Sequence, residues 1–169
     1  GAGGSYIYLT YTSPKAQAAL LNIRGNSGVF VNGVQHTGDP YSMGYLYIPV
    51  QLKKGLNEFY VRGATAVASL IFSEKLVLLN PEDLTLPFVV PGLQSGVLQG
   101  AIVVLNTSAK ELKGLLIKTT LQGKEMSISV PAIPALSSRK IPFSFNSDGI
   151  STKGKYECTV TILDKGKAL

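Results

Sequence analysis

The stretch from Val29 to Arg62, VFVNGVQHTGDPYSMGYLYIPVQLKKGLNEFYVR, decides the fold class. It breaks into short apolar runs separated by tight-turn residues. Asn32-Gly33 marks one corner, Gly38-Asp39-Pro40-Tyr41 the next, and Lys53-Lys54-Gly55-Leu56-Asn57 a third. Asn-Gly suits a type I′ hairpin turn, because both central residues of that turn need positive φ. Between the corners the side chains alternate. Leu46, Ile48, Val50 and Leu52 share one face, and Tyr45 and Tyr47 take the other. Phe59 and Val61 point inward, with Glu58, Tyr60 and Arg62 outward. Pro49 sits inside this pattern and cannot donate a hydrogen bond, so its strand is expected at a sheet edge or a bulge.

The same reading extends along the chain. Expected strands in the first half are Tyr6–Thr12, Gln17–Arg24, Val29–Val31, Tyr45–Leu52, Glu58–Arg62 and Val67–Phe72. Ser13–Leu21 is the best helical candidate. It runs into the continuous apolar segment Ala18–Ile23, which suits a buried strand. Lys75–Gly92 carries three prolines and reads as an extended crossing into a second unit. Five more strands follow: Gly100–Asn106, Leu112–Leu121, Glu125–Val130, Ser138–Phe145 and Lys155–Leu163. The expected class is all-β, with two sandwich units in tandem over residues 1–73 and 74–169.

Composition narrows the function. Charged residues make up 15% of the 169 and apolar residues 45%, which excludes a disordered chain. No apolar run approaches the ~20 residues of a membrane-spanning helix. The net charge of +6 is scattered, and Lys53-Lys54 and Arg139-Lys140 are the only adjacent basic pairs. A nucleic-acid partner would call for clustered charge with exposed aromatics in one groove, so none is expected. Gly1-Ala2-Gly3-Gly4 has neither the basic nor the apolar region of a signal peptide. An exported parent whose leader has been removed fits this start.

Catalytic patterns are sparse. His36 is the only histidine and falls in an expected surface turn. Ser27 and Ser42 lie among glycines and read as turn residues; the strained serine turn of a hydrolase nucleophile is missing. Cys158, the single cysteine, shares an expected inward face with Tyr156, Val160 and Ile162, which makes it a small core residue. Asp39 and Glu58 are the only carboxylates before Glu74, and nothing in the sequence brings them together as a glycosidase pair. No loop is dense enough in carboxylates for calcium, Asp39 being the best position. The expectation is therefore no catalytic residue, no metal and no cofactor.

Tyrosine is the functional lead. Seven of the eight precede residue 61, and Tyr41, Tyr45, Tyr47 and Tyr60 fall near the Asp39 loop and its following strands, the first three being the stacking candidates. A tyrosine ring offers a flat apolar face with a polar tip, suited to a sugar or a protein partner. Asn32, His36, Asp39 and Arg62 are the expected polar companions of those three rings in a ligand site. The competing reading is that tyrosine simply fills the rim of a sandwich.

Val31-Asn32-Gly33, Gly38-Asp39-Pro40-Tyr41, Gly44-Tyr45, Ile48-Pro49-Val50, Leu52-Lys53-Lys54-Gly55-Leu56-Asn57 and Val61-Arg62 together resemble a galactose-binding-like β-sandwich, a reduced form of that jelly roll. The Gly-Asp-Pro-Tyr version is similar to N-terminal modules of secreted bacterial hydrolases of peptidase or esterase type. Asp83–Pro87, Ala101–Asn106 and Ser138–Ile141 resemble an immunoglobulin-like or fibronectin-like domain that follows such modules. The resemblance implies a non-catalytic accessory module of a larger exported protein, either secreted or held in the periplasm or at the cell surface. It would contact a neighbouring domain of that protein. The alternative it implies is a carbohydrate-binding module whose partner is a polysaccharide.

Overall fold

The computed structural model describes residues 5–90 and 96–169. These residues form fourteen strands and no helix, arranged as β-sandwich units. In the first unit, β1 (Tyr6–Ser13), β6 (Gly55–Arg62), β3 (Gly28–Val31) and β4 (Val34–Thr37) form one antiparallel sheet in that order. β5 (Tyr47–Leu52), β2 (Gln17–Arg24) and β7 (Val67–Ile71) form the other. Leu21, Ile23, Val29, Val31, Ile48, Val50, Leu52, Phe59 and Val61 interdigitate between them.

The hairpin and the edge follow from the local sequence. Asn32 and Gly33 have φ of 49° and 84°, which turns β3 directly into β4. Pro49 lies on β5, an outer strand of its sheet, the position where strands tolerate a proline. The apolar run in β2 is buried on both faces. Leu21 and Ile23 enter the core, while Leu20 and Asn22 on the other face are covered too. Leu20 and Tyr47 line a junction cleft with Leu78, Leu79 and Leu105 of the second unit.

The second unit pairs a three-stranded sheet, β12 (Ser137–Asn146), β9 (Val97–Asn106) and β8 (Val77–Thr85), with a four-stranded one. That sheet runs β11 (Lys124–Ser129), β10 (Leu115–Leu121), β13 (Cys158–Asp164) and β14 (Lys167–Ala168). Its core is built on Ile102, Val104, Ile117, Ile133, Ile141, Phe143, Phe145 and Ile162.

Four expectations are corrected. The stretch beginning at Lys75 is not a bare crossing. Val77 and Leu79 pack on the second core and form β8, and a register shift between Asn80 and Thr85 absorbs Pro81. Pro91 and Gly92, at the end of that stretch, lie outside the described residues. His36 belongs to strand β4 and not to a turn, because the Asn32-Gly33 turn is tight enough to send Val34–Thr37 back along β3. Cys158 is exposed and not a core residue. It opens β13 at the mouth of a cleft, and only Ile162, further along, is deeply covered. β10 begins at Leu115 and not Leu112, because Gly114 takes a φ of 73° and Leu112 makes only an isolated bridge to Ile133.

Candidate functional site

The ends of the first sandwich separate the expected site residues. Pairing of Gly28 with Arg62 and with Thr37 defines one end of β3, and pairing of Val31 with Phe59 defines the other. Asn32 belongs to the second end. Its Nδ2 donates to Asn57 Oδ1 at 2.8 Å and its Oδ1 accepts the Glu58 N–H at 3.1 Å. Asn32 therefore locks the hairpin against β6.

Asp39 and Tyr41 belong to the first end, where the Asp39 carbonyl accepts the Gly25 N–H at 3.2 Å. Asp39 is buried at 6% exposure. Its Oδ1 accepts from Met43 N at 3.0 Å and its Oδ2 from Gly44 N at 2.7 Å. Both carboxylate oxygens thus hold the 39–44 loop closed, as a turn aspartate does. Tyr41 stands out from this loop at 84% exposure. Arg62 ends β6 at the same end of the sandwich, and its carbonyl accepts the Ser27 N–H at 2.9 Å.

Tyr45 and Tyr47 turn elsewhere. The Tyr45 carbonyl accepts Asn80 Nδ2 at 2.7 Å. Burial raises the Tyr47 hydroxyl pKa, reinforced by its hydrogen bond to Glu82. Through the Tyr45 carbonyl and the Tyr47 hydroxyl, the stretch leading into β5 is tied to β8. His36 is half-buried on the side of β4 that faces Val29. Desolvation there lowers its pKa from the ordinary 6.5.

The structure also gathers residues that sequence reading leaves apart. Tyr8 pairs with Tyr60, and Tyr60 pairs with Phe30. Paired residues share a face, so these three rings form a row across β1, β6 and β3 on the outer surface. The Tyr8 and Tyr60 rings are 5.0 Å apart, tilted by 41°. Tyr6 and Arg62 flank the row on one side, and Glu58 on the other. Tyr8 Oη donates to Glu58 Oε1 at 2.8 Å, and this bond is the main reason the tyrosine pKa rises. Exposures of 55%, 51% and 44% leave Tyr6, Tyr8 and Tyr60 open to a ligand. The alternation of Tyr6 and Tyr8 is visible in the sequence. Their union with Tyr60 and Phe30 depends on strand pairing across fifty residues.

One further concavity is mainly apolar. A cleft of about 330 Å³ in the second unit is lined by Leu86, Val89, Leu98, Leu121, Phe145 and Tyr156, among others, with Cys158 and Lys153 also on its wall. Cys158 opens β13 in the second unit and His36 lies on β4 in the first. Among the described residues, no three His, Cys, Asp or Glu side chains converge as a metal-binding group. No helix among them is long and apolar enough to cross a membrane.

Comparison with known proteins bears on the fold. No family model matches the chain, and no curated protein matches it significantly. Solved structures do match. A calcium-binding mutant of β-glucuronidase 2 from Bacteroides uniformis aligns over 96% of this chain at 10% identity and a TM-score of 0.50. Exo-chitosanase CsxA from Amycolatopsis orientalis aligns over 96% at 14% identity, with a TM-score of 0.46. This chain spans about a quarter of the length of either one, 25% and 24% respectively. The glucuronidase likeness shows a shared all-β fold.

Proposed function

We propose that the chain is a non-catalytic accessory region of a larger exported hydrolase, in which two β-sandwiches position or contact a neighbouring domain. The observation that carries this reading is the extent of the fold likeness. Nearly the whole chain, across both sandwiches, superposes on about a quarter of a glucuronidase chain. The division is read near residue 73, a reading supported by one core that takes in Leu70 and another that starts at Val77. The first unit is read as a reduced galactose-binding-like sandwich and the second as immunoglobulin-like. Sandwiches suit such a role because they are rigid blocks that present loops and faces to neighbours. The sequence resemblance points toward peptidase or esterase parents and the fold neighbours toward glycosidases, so the shared reading is a hydrolase.

Antibody capture from the source organism, followed by assays on glycoside and ester substrates, tests this. Hydrolysis by the captured material, with none by the purified 169-residue chain, is the expected result. Activity of the purified chain by itself would refute the reading.

A second reading, carbohydrate binding, is favoured by one observation, the exposed Tyr8–Tyr60–Phe30 row with Tyr6, Glu58 and Arg62 beside it. That row groups rings that strand pairing sets side by side, whereas the Tyr47 hydroxyl is engaged with Glu82.

A further inference from the structure

The first sandwich is open along one side. β1 and β7 are outer strands of its two sheets, and both border the same apolar cleft of about 380 Å³. Leu9 and Tyr11 line one wall, Ala68 and Leu70 the other, and Leu21 and Phe59 the floor. Burial records the gap. Val61 and Phe59 on β6 are buried, while their inward-facing partners Ile7 and Leu9 on β1 are only half-buried. Ile23 is 1% exposed, yet its partner Ala68 on β7 is exposed. The Tyr11 and Phe72 rings meet at 6.1 Å, with Phe72 still 45% exposed.

The two edges bordering this cleft also lack the usual protection against strand addition. β5 has Pro49, β8 has Pro81, Glu82 and Asp83, β11 has Lys124 and Glu125, and β12 has Arg139, Lys140 and Pro142. β4 and β14 are short, at four and two residues. Tyr6–Ser13 and Val67–Ile71 carry no charge and no proline.

We infer that the β7 edge receives one further β-strand, an uncharged extended segment with alternating aliphatic side chains, supplied by the larger polypeptide of the preceding proposal, on which this identification of the donor rests. Among the described residues β7 pairs with β2 alone, so its other side presents a row of backbone donors and acceptors with no strand partner there. Inward side chains of an added strand would enter the cleft, which holds about two or three aliphatic groups at interior packing density. A charged strand would bury its charge among Leu9, Leu21, Leu70 and Phe59 without a partner. A second copy of this chain joined through β7 is the alternative occupant, which the dimer outcome of the test separates. The geometry of entry is favourable as well. Gly63 N–H donates to the Ser5 carbonyl at 2.9 Å, so β1 begins beside the turn that leads into β7 at Val67. A strand antiparallel to β7 ends at that same corner.

The test extends the chain at its N-terminus with an eight-residue strand of alternating valine and threonine, joined through residues 1–4. An extension with serine in place of valine is the control. The valine strand is expected to slow amide exchange across Val67–Ile71 by at least about tenfold and to raise Tm by several degrees. Ala68→Glu, at a position exposed in the unextended chain, is expected to abolish both gains in the extended chain while leaving the unextended Tm nearly unchanged. Three results would overturn the inference: no protection of β7, equal protection by the serine strand, or β7 amides already protected in a dimer of the unextended chain. None of these bears on the hydrolase reading, which stands or falls on the capture experiment.

Discussion

Replacing Asn57 by alanine should unfold the first sandwich far more readily than its position in a lysine-rich turn suggests. Asn57 is fully buried. Its Nδ2 donates to the carbonyls of Lys53 and Gly55, each at 2.9 Å, and more weakly to Tyr11 at 3.4 Å. Its Oδ1 accepts the Lys53 N–H at 2.9 Å and Asn32 Nδ2 at 2.8 Å. One amide therefore joins β1, the β5–β6 turn and the β3–β4 hairpin. At about 1 kcal/mol net per hydrogen bond, with further cost for groups left unpaired, truncation should destabilise by about 3–5 kcal/mol. That corresponds to a Tm lower by about 6–20 °C for a chain of this size.

Tyrosine fluorescence in urea is the natural assay. The chain has no tryptophan and seven of its eight tyrosines precede residue 61, so the signal reports mainly on the first unit. Asn57→Asp sharpens the test. It keeps the acceptor but turns a second carboxylate oxygen toward the Lys53 and Gly55 carbonyls, so it should also destabilise at pH 7. It should recover in part below about pH 4, where an aspartate protonates. An alanine variant within about 1 kcal/mol of the parent would refute the reasoning, because one buried net bond is worth about that much.

Three other outcomes are expected. Gly100→Ala should cost about 1–3 kcal/mol of stability by overpacking, since the new Cβ would press on the Phe143 ring and lie 2.8 Å from the Thr85 carbonyl oxygen; thermal unfolding measures it. Burial lowers the His36 pKa below 6.5, so the unfolded chain binds the extra proton first as pH falls. The stability attached to neutral His36 is whole above 6.5 and lost as pH falls toward its folded value, and His36→Gln should flatten that slope in melts from about pH 7.5 to 5. If the outer aromatic row binds polysaccharide, Tyr8→Ala and Tyr60→Ala should abolish retardation in affinity gels containing chitosan, xylan or a cellulose ether, while Tyr41→Ala should not; retention of binding by both row variants counts against that surface.

Much of the architecture was legible because it rests on local physics. β2 was bounded correctly at Gln17–Arg24, since an apolar run between turn residues has few alternatives. Asn32-Gly33 announced its hairpin and Pro49 its edge. The positions that escaped depend on distant partners. Pro81 masked β8, because a bulge is tolerable only where the neighbouring strand accommodates it. Alternation put Cys158 inward, yet the inner face of β13 is not covered at its start. The tyrosines looked like one cluster in sequence but divide among a loop tip, the junction with β8 and the outer sheet. Asn26 carries no such signal at all: it is 1% exposed, and among the described residues neither its Oδ1 nor its Nδ2 has a hydrogen-bond partner.

The measurement that reaches the account most directly is the mass of the native species carrying this chain, read by immunoblot and intact-mass spectrometry of material captured from the source organism. Under the proposed accessory role, coverage of 25% of the matched glucuronidase leads to the expectation of a single polypeptide roughly four times the mass of this chain. A free species of 17.9 kDa, with no larger form, would contradict it.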